Sequence, residues 1–484
     1  MPLDSTVLAR FLDDYRGELV RPGDEGFARA RQEAVWNADV TRQPALIARP
    51  ASAAEVAAAL VGARSAGLDL TVRGGGHSIP GSSVAEDAVM IDLSRLAGVH
   101  VDPATRRATV GGGAAWAAVD AATAAHGLAV VGGTVSHTGV AGLTLGGGMG
   151  WLTHRQGLTC DNLVQATVVT AEGRVVRASE EEHPDLFWGL RGAGANFGVV
   201  TEFVFALHET DPMATLGMFF WAAEDAREPL RAVREYLGGL PTHLGALVAG
   251  MSIPAAPFLP AEHHGRPAFG AMVAGWDGPA GHAAAIAPLR DLHPTVEFVT
   301  PIPYTALQQM LDASSPWGVH AYEKGLDLED LPDGAIDVLI DWLPRKTAPD
   351  SFIPVLPLGG RFAEVPDDAT AFGGSRSCRW SMSFVAQAAD AGTLAADREW
   401  VRGAWQALRP FTGSDRAYVN FLGEPDDARV RATYGEEKYR RLAALKAEWD
   451  PENVFRHNAN IPPAPRDLPT PRTSAAAAVA EPAP

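Results

Sequence analysis

The sequence predicts a two-domain protein of mixed helix and strand, α/β or α+β in class, and three observations point there. Residues 52 to 200 alternate helical and strand patterns. The chain's 50 glycines bunch into clusters within that same stretch, each beside the end of a strand or helix. From about residue 210 to 415 the clusters thin out and a proline-punctuated mix of strands and helices takes over, which marks a second domain. At about 150 residues per domain, 484 residues accommodate two large domains.

Ser52 and Glu55 have capping-box spacing and open an alanine-rich helix to about Ala66. Leu68 to Val72 alternates polar and apolar residues as a strand does, and runs into Arg73-Gly74-Gly75-Gly76-His77-Ser78. Val89 to Leu93 is a second strand. A hairpin is expected around Asp102-Pro103, then Gly111-Gly112-Gly113 and a helix to His126 with Gly127 as its stop. Gly146-Gly147-Gly148-Met149-Gly150 is the third cluster. Leu163 to Thr170 and Arg174 to Ala178 flank a hairpin turn at 171–173, His183 to Leu190 is a short helix, and Gly198 to Leu207 a strand. Glu436 to Trp449 carries Tyr439, Leu442, Leu445 and Trp449 on one helical face, stopped by Asp450-Pro451. The Pro/Ala-rich tail that follows is expected to be disordered.

Hydrophobic residues at 46% and charged residues at 20% are ordinary for a soluble globular chain, and this length buries a large core unaided. The net charge is −18 with no basic block, which excludes a nucleic-acid binder. Cys160 and Cys378 are too few for a disulfide framework or zinc cluster, so a reducing, cytoplasmic setting is expected. The acidic amphipathic N-terminus has no secretory pattern, and no run of 18 apolar residues predicts a membrane span.

Successive N–H groups in a glycine turn form a concave anion site, and the missing side chains let a phosphate approach. Three such loops suggest a large phosphorylated ligand such as a dinucleotide. The commoner solutions are absent. No Gly-Lys dipeptide exists for a P-loop, and the loop at 73–78 leads to a strand rather than opening a helix. Gly373-Gly374-Ser375-Arg376-Ser377 lacks the last glycine of a nucleophile elbow. No HExxH motif is present, and His263-His264 reads as solvated, so no metal site is expected. His77 is either a turn residue or, when neutral, a nucleophile against a bound cofactor; the pattern leaves both open.

Longer motifs narrow this. The loop at 73–78, Gly146 to Trp151, Gly157-Leu158-Thr159-Cys160-Asp161-Asn162 and Phe187 to Gly198 resemble FAD-linked oxidases of the berberine-bridge-enzyme-like group, within the vanillyl-alcohol-oxidase superfamily. Tyr418-Val419-Asn420-Phe421, Tyr434-Gly435 and Asp450-Pro451-Glu452-Asn453-Val454-Phe455 resemble that group's C-terminal signature. The likeness spans roughly residues 35 to 465. It implies an α+β, two-domain PCMH-type FAD-binding fold with an antiparallel-sheet substrate domain covered by helices. The FAD domain would comprise 1–207 and a returning segment 416–462, the substrate domain 208–415, and the disordered tail 463–484.

The resemblance also implies a site. FAD would lie on Arg73, Gly74, Gly75, Gly76 and Ser78, with His77 bonded to its 8α carbon. Further contacts are expected from Val135, Gly139, Gly142, Gly147, Gly148, Gly198, Val200, Asn420 and Asn458. Many relatives carry a second link from a cysteine, whose position is taken here by Val135; a single covalent attachment is therefore expected, with Cys160 a packing residue. Thr138 holds the position that neighbours the flavin and influences oxygen access. Relatives often end the Tyr-x-Asn motif with a basic tyrosine, but Phe421 stands here and a phenyl ring accepts no proton. Either another residue does that work or the substrate, as with an amine already neutral at its nitrogen, needs no strong base; Tyr418 is one candidate base, or a tyrosine that packs facing the flavin. Lys324 could lower a neighbouring tyrosine's pKa by favouring the phenolate, or be merely salt-bridged. Arg376 and Arg379 are weaker candidates for binding an acidic or carbonyl-rich substrate.

The implied activity is oxidation of a small organic substrate, a specialised metabolite, with hydride passing to flavin N5 and O2 as acceptor giving H2O2. A flavin-dependent oxygenase or dehydrogenase is the alternative, and a non-catalytic flavin- or ligand-binding protein the alternative from another class. Substrate identity and oligomeric state are not encoded in any motif.

Overall fold

A computed structural model describes residues 4–257 and 259–465. The expected disordered tail falls outside the described residues from position 466 onward. The first sheet holds β1 (Glu18–Val20), β2 (Leu46–Arg49), β3 (Leu70–Arg73) and β4 (Val89–Asp92), in the order β1-β2-β4-β3, with β2 and β3 both parallel to β4. Leu46 to Ala48 and Val89 to Ile91 are buried throughout because both faces of this sheet are covered. Helix Ala53–Ser65 packs on one face, and its Ser52 side chain accepts the N–H of Glu55 as the capping pattern requires.

The second sheet is antiparallel: β5 (Val99–Asp102), β6 (Arg107–Gly111), β8 (Leu163–Val169), β9 (Val175–Ser179) and β10 (Val199–Ala206), in the order β5-β6-β10-β8-β9. Two short strands, β7 (Leu128–Ala129) and β11 (His208–Glu209), pair beside it. The chain's end returns to this body. Ala417, Val419, Leu442, Trp449 and Ile461 join the core that contains Phe203 and Phe205. Helix Glu436–Trp449 buries Tyr439, Leu442, Leu445 and Trp449, the stripe its sequence displays. Its end is locked by a buried ion pair: Lys446 Nζ reaches Asp450 Oδ2 at 2.7 Å, and the Asp450 oxygens accept the N–H groups of Val454 and Phe455.

In the chain between β11 and the returning C-terminal segment comes a seven-stranded antiparallel sheet: β12 (Met213–Ala222), β13 (Leu244–Ser252), β14 (Pro267–Gly275), β15 (Val296–Pro303), β16 (His320–Leu328), β17 (Ile353–Pro357) and β18 (Trp380–Ala388), in the order β15-β12-β14-β13-β17-β18-β16. Helices Arg227–Gly238, Asp333–Trp342 and Ala391–Leu408 cover one face through Leu230, Val233, Ile336, Leu339, Trp400 and Val401. The opposite face carries Leu216, Met218, Phe220, Leu247 and Met272 packed with Trp151 of the glycine-rich body. Helix Tyr304–Gln309 joins the two bodies, its Gln308 donating to the buried Asp120 on helix Trp116–Ala124 at 3.2 Å. Among the described residues no helix is long and apolar enough to cross a membrane.

Candidate active site

The parallel strand β3 delivers the loop 73–78 straight onto the segment 135–142. Gly75 and Gly139 meet backbone to backbone: a Cβ on Gly75 would lie 2.2 Å from Gly139 Cα, so neither tolerates a side chain. Gly74 packs on Ala141, and Gly76 takes φ +74 against the carbonyl of Ala34. Gly142 is different, since a Cβ there would meet nothing within 4 Å. Arg73 is an anchor, its guanidinium 3.0 Å from Asp92, and Ser78 Oγ holds the turn by accepting the N–H of Ser82.

At the tip of this loop His77 is enclosed by rings. Trp36 stacks at 5.5 Å, Trp317 meets it edge-on at 5.6 Å, and His137 lies at 4.7 Å with His77 Nε2 and His137 Nδ1 only 2.6 Å apart. Burial, then His137 and then Arg73, push the His77 pKa down to about 3, so its imidazole is neutral near pH 7. The enclosure spans both bodies: Trp36 Nε1 donates to Ser315 O, and Gly318 N donates to Trp36 O. His137 was not among the residues singled out from the sequence. Its only local signal was a histidine two residues beyond Val135, beside Thr138, and nothing in that spacing ties it to His77. Val135 and Thr138 close a tight turn, with Thr138 N donating to Val135 O, while Thr138 O accepts the N–H of Trp116.

Several expected cofactor residues have structural duties. A Cβ on Gly147 would strike Phe372 and Tyr418, and one on Gly148 would strike Thr159. Gly198 packs directly on Val168 and Val169 of β8, and Val200 O abuts Gly112. The glycines at 147, 148 and 198 are thus explained by close packing within the protein. Asn458 Nδ2 donates to Ala195 O at 2.7 Å.

Tyr418 is buried, and its hydroxyl accepts the N–H of Gly148 at 2.9 Å and the Asn420 amide at 2.8 Å. Burial raises its phenol well above the usual range, so it is a poor proton acceptor at neutral pH, which corrects its expected role as base. Asn420 also donates to Gly142 O. Lys324 takes the salt-bridged alternative, not the catalytic one. It sits on the helix-facing side of β16, 3.2 Å from Glu424 and over the ring of Trp405. The tyrosine sharing that glutamate, Tyr322, has its pKa raised by burial, the opposite of the expected effect. Arg376 is consumed by Asp161, so it is not free to bind an acidic substrate, while the exposed Arg379 donates once to the carbonyl of Gly238. Cys160 lies buried among Met149, Phe362, Phe372 and Tyr418, its thiol raised far above the usual range by burial and by Asp161.

The other face of β16 holds what the sequence did not reveal. Tyr322, Leu326 and Leu328 face the helices, so Glu323, Gly325 and Asp327 face the glycine-rich body, where Gly325 abuts Phe421. Glu323 and Asp327 are each 3% exposed. Burial pushes Glu323 up to about 7 and Asp327 up to about 6, the latter held partly down by the Ser381 hydroxyl at 2.7 Å. On this face the β16–β18 end is therefore polar and acidic, with Ser381, Ser383 and the two carboxyls, while the β12–β14 end is apolar.

Residues 44–179 match the family model described as an FAD binding domain, and residues 417–462 match the one described as berberine and berberine like. The chain is 32% identical over 476 residues to (R)-6-hydroxynicotine oxidase of Paenarthrobacter nicotinovorans, covering 93% of this chain and 97% of that protein. It is 28% identical over 465 residues to an FAD-linked oxidoreductase of Dictyostelium discoideum, covering 94% and 97%. The solved 6-hydroxy-D-nicotine oxidase from Arthrobacter nicotinovorans superposes with a TM-score of 0.81 at 28% identity, covering 92% of this chain and 98% of that one. Glucooligosaccharide oxidase from Acremonium strictum, whose FAD is described as 6-S-cysteinyl, 8α-N1-histidyl, shares the fold with a TM-score of 0.84 at 23% identity, covering 95% and 100%.

Proposed function

Because this chain belongs to the berberine-bridge-like FAD-linked oxidoreductases, we propose that it is an oxidase of a small organic substrate with FAD bonded once, through His77. The observation that carries the reading is the neutral imidazole of His77 at the tip of a loop that has no room for side chains. A neutral ring is the nucleophilic form. The open space beside Gly142 offers the cofactor a place that Gly75 and Gly139 do not. Val135 has no group able to form a second bond, and Cys160 is inert by burial.

FAD held by His77 and the 73–78 loop would supply two-electron redox chemistry, hydride acceptance at N5 with O2 as the final acceptor and H2O2 as product. The chain's own residues supply proton handling and orientation. Glu323 is the proton acceptor in place of the missing tyrosine at 421: with a pKa of about 7 it is divided between acid and carboxylate at neutral pH, the range in which a general base works best. The Tyr418 hydroxyl, already accepting two hydrogen bonds, has its proton left to donate to the substrate and so orients it. Thr138 is a small polar wall that leaves oxygen access open. The acidic end of the sheet face suits an N–H or O–H donor, so an alcohol or amine, such as a specialised metabolite, is the substrate class.

Candidate alcohols and amines are to be screened for H2O2 release and for anaerobic bleaching of the flavin. One H2O2 per substrate oxidised supports the oxidase. Bleaching without H2O2 under air identifies a dehydrogenase, and oxygen incorporated into product an oxygenase. A ligand that binds without bleaching the flavin leaves only a binding protein.

A further inference from the structure

The contact between His77 and His137 places a single proton between two ring nitrogens 2.6 Å apart. If His77 carries it on Nε2, His77 donates to His137 Nδ1 and keeps a lone pair on its own Nδ1, which has no hydrogen-bond partner among the described residues. In the reverse arrangement His77 Nδ1 is protonated and cannot attack. Trp36 and Trp317 enclose the ring from other sides and offer no base. Arg73, the remaining charged group that acts on His77, is tied to Asp92 and has no lone pair.

We propose that His137 is a positioning residue for cofactor attachment: it holds His77 with Nδ1 unprotonated and takes up the Nε2 proton as Nδ1 bonds to the cofactor. This rests on His77 being the attachment site. In the step, the Nδ1 lone pair forms the N–C bond to the 8α carbon, while a C–H bond of that methyl group breaks and its electron pair stays on the ring system. The ring is thereby reduced by two electrons, and O2 reoxidises it. The hydrogen lost from the methyl group and the one lost from His77 balance the two in H2O2. Without an acceptor at Nε2, the alkylated imidazole would be left as a cation in surroundings that already disfavour a charged ring.

The test compares the full-length wild type with His77→Ala, His137→Ala and His137→Gln, each incubated with FAD. Covalent flavin is read by fluorescence of the denatured protein and non-covalent flavin by release into the supernatant. Expected is that wild type links FAD, His77→Ala does not, and both His137 variants bind FAD yet link it at least tenfold more slowly. Added imidazole then speeds linkage in His137→Ala, an effect that a merely structural role would not produce. Linkage at the wild-type rate in either His137 variant overturns the proposal, as does slow linkage that imidazole leaves unmoved. If His137→Ala takes up no FAD, His137→Gln, which keeps an acceptor but no basic nitrogen, decides alone. A wild type that holds FAD only non-covalently refutes the His77 reading itself, a result distinct from failure of His137.

Discussion

Arg376 grips Asp161 with both terminal guanidinium nitrogens, at 2.7 and 2.9 Å, and fastens the loop before β18 to the glycine-rich body. Both side chains are buried, and the rings of Phe362 and Phe372 lie about the guanidinium. Removing one partner leaves an uncompensated buried charge. Arg376→Ala is expected to lower stability by about 3 to 5 kcal/mol, read by chemical denaturation. Arg361→Ala, which breaks an exposed pair with Glu364, should change it by less than about 1 kcal/mol.

Glu323→Gln should reduce kcat by roughly 10²- to 10⁴-fold with flavin content intact. The pH profile carries the sharper information. A base must be deprotonated to act, so wild-type kcat/KM should rise with pH and level off above about 7, and the variant should lose that limb. Lys324→Met, on the opposite face of the same strand, should leave kcat within about twofold, since exposed ion pairs contribute little.

Asp120 gives a pH dependence of stability. Its carboxyl is ordinarily near 3.8, and burial raises it to about 7 in the folded protein despite the amide of Gln308. A raised carboxyl pKa stabilises the fold most below the unfolded value, and that contribution is lost as pH rises through the folded one. Wild type should therefore lose stability relative to Asp120→Asn between about pH 4 and 7, at up to about 1.4 kcal/mol per pH unit. Parallel denaturation curves of the two proteins across that window check it.

Gly75→Ala would drive a methyl group into the backbone of Gly139. A loss of about 3 kcal/mol is expected, at the upper end for overpacking because backbone cannot rotate away, together with loss of retained flavin. Gly142→Ala, placed in open space, should leave stability nearly unchanged and affect only flavin uptake. Thermal unfolding with and without FAD separates the two effects.

Local patterns made much of this legible. The Ser52 cap, the apolar stripe of the helix ending at Trp449 and the hairpin between β8 and β9 depend on residues close together in the chain. The site was legible only in part. His77 stood out through its glycines, but His137 lies 60 residues away and no local rule joins them. Alternation along β16 shows that Glu323 and Lys324 face opposite ways without showing which way is inward. A lysine can lay its chain on apolar surface and keep its charge at the rim, so burial fell to the glutamate instead. That Gly147 packs against Phe372 and Tyr418 is invisible in the sequence until the chain's end folds back.

The ring enclosure of His77 has a consequence for biogenesis. Trp317 and the Ser315 carbonyl that anchors Trp36 belong to a stretch of chain 279 positions beyond that tryptophan. An N-terminal portion emerging from the ribosome can form its glycine loop early, but the surroundings that keep the imidazole uncharged arrive only after most of the polypeptide has been made and docked. If FAD is captured at His77 as proposed, chains truncated before residue 315 should lack this enclosure and retain no flavin.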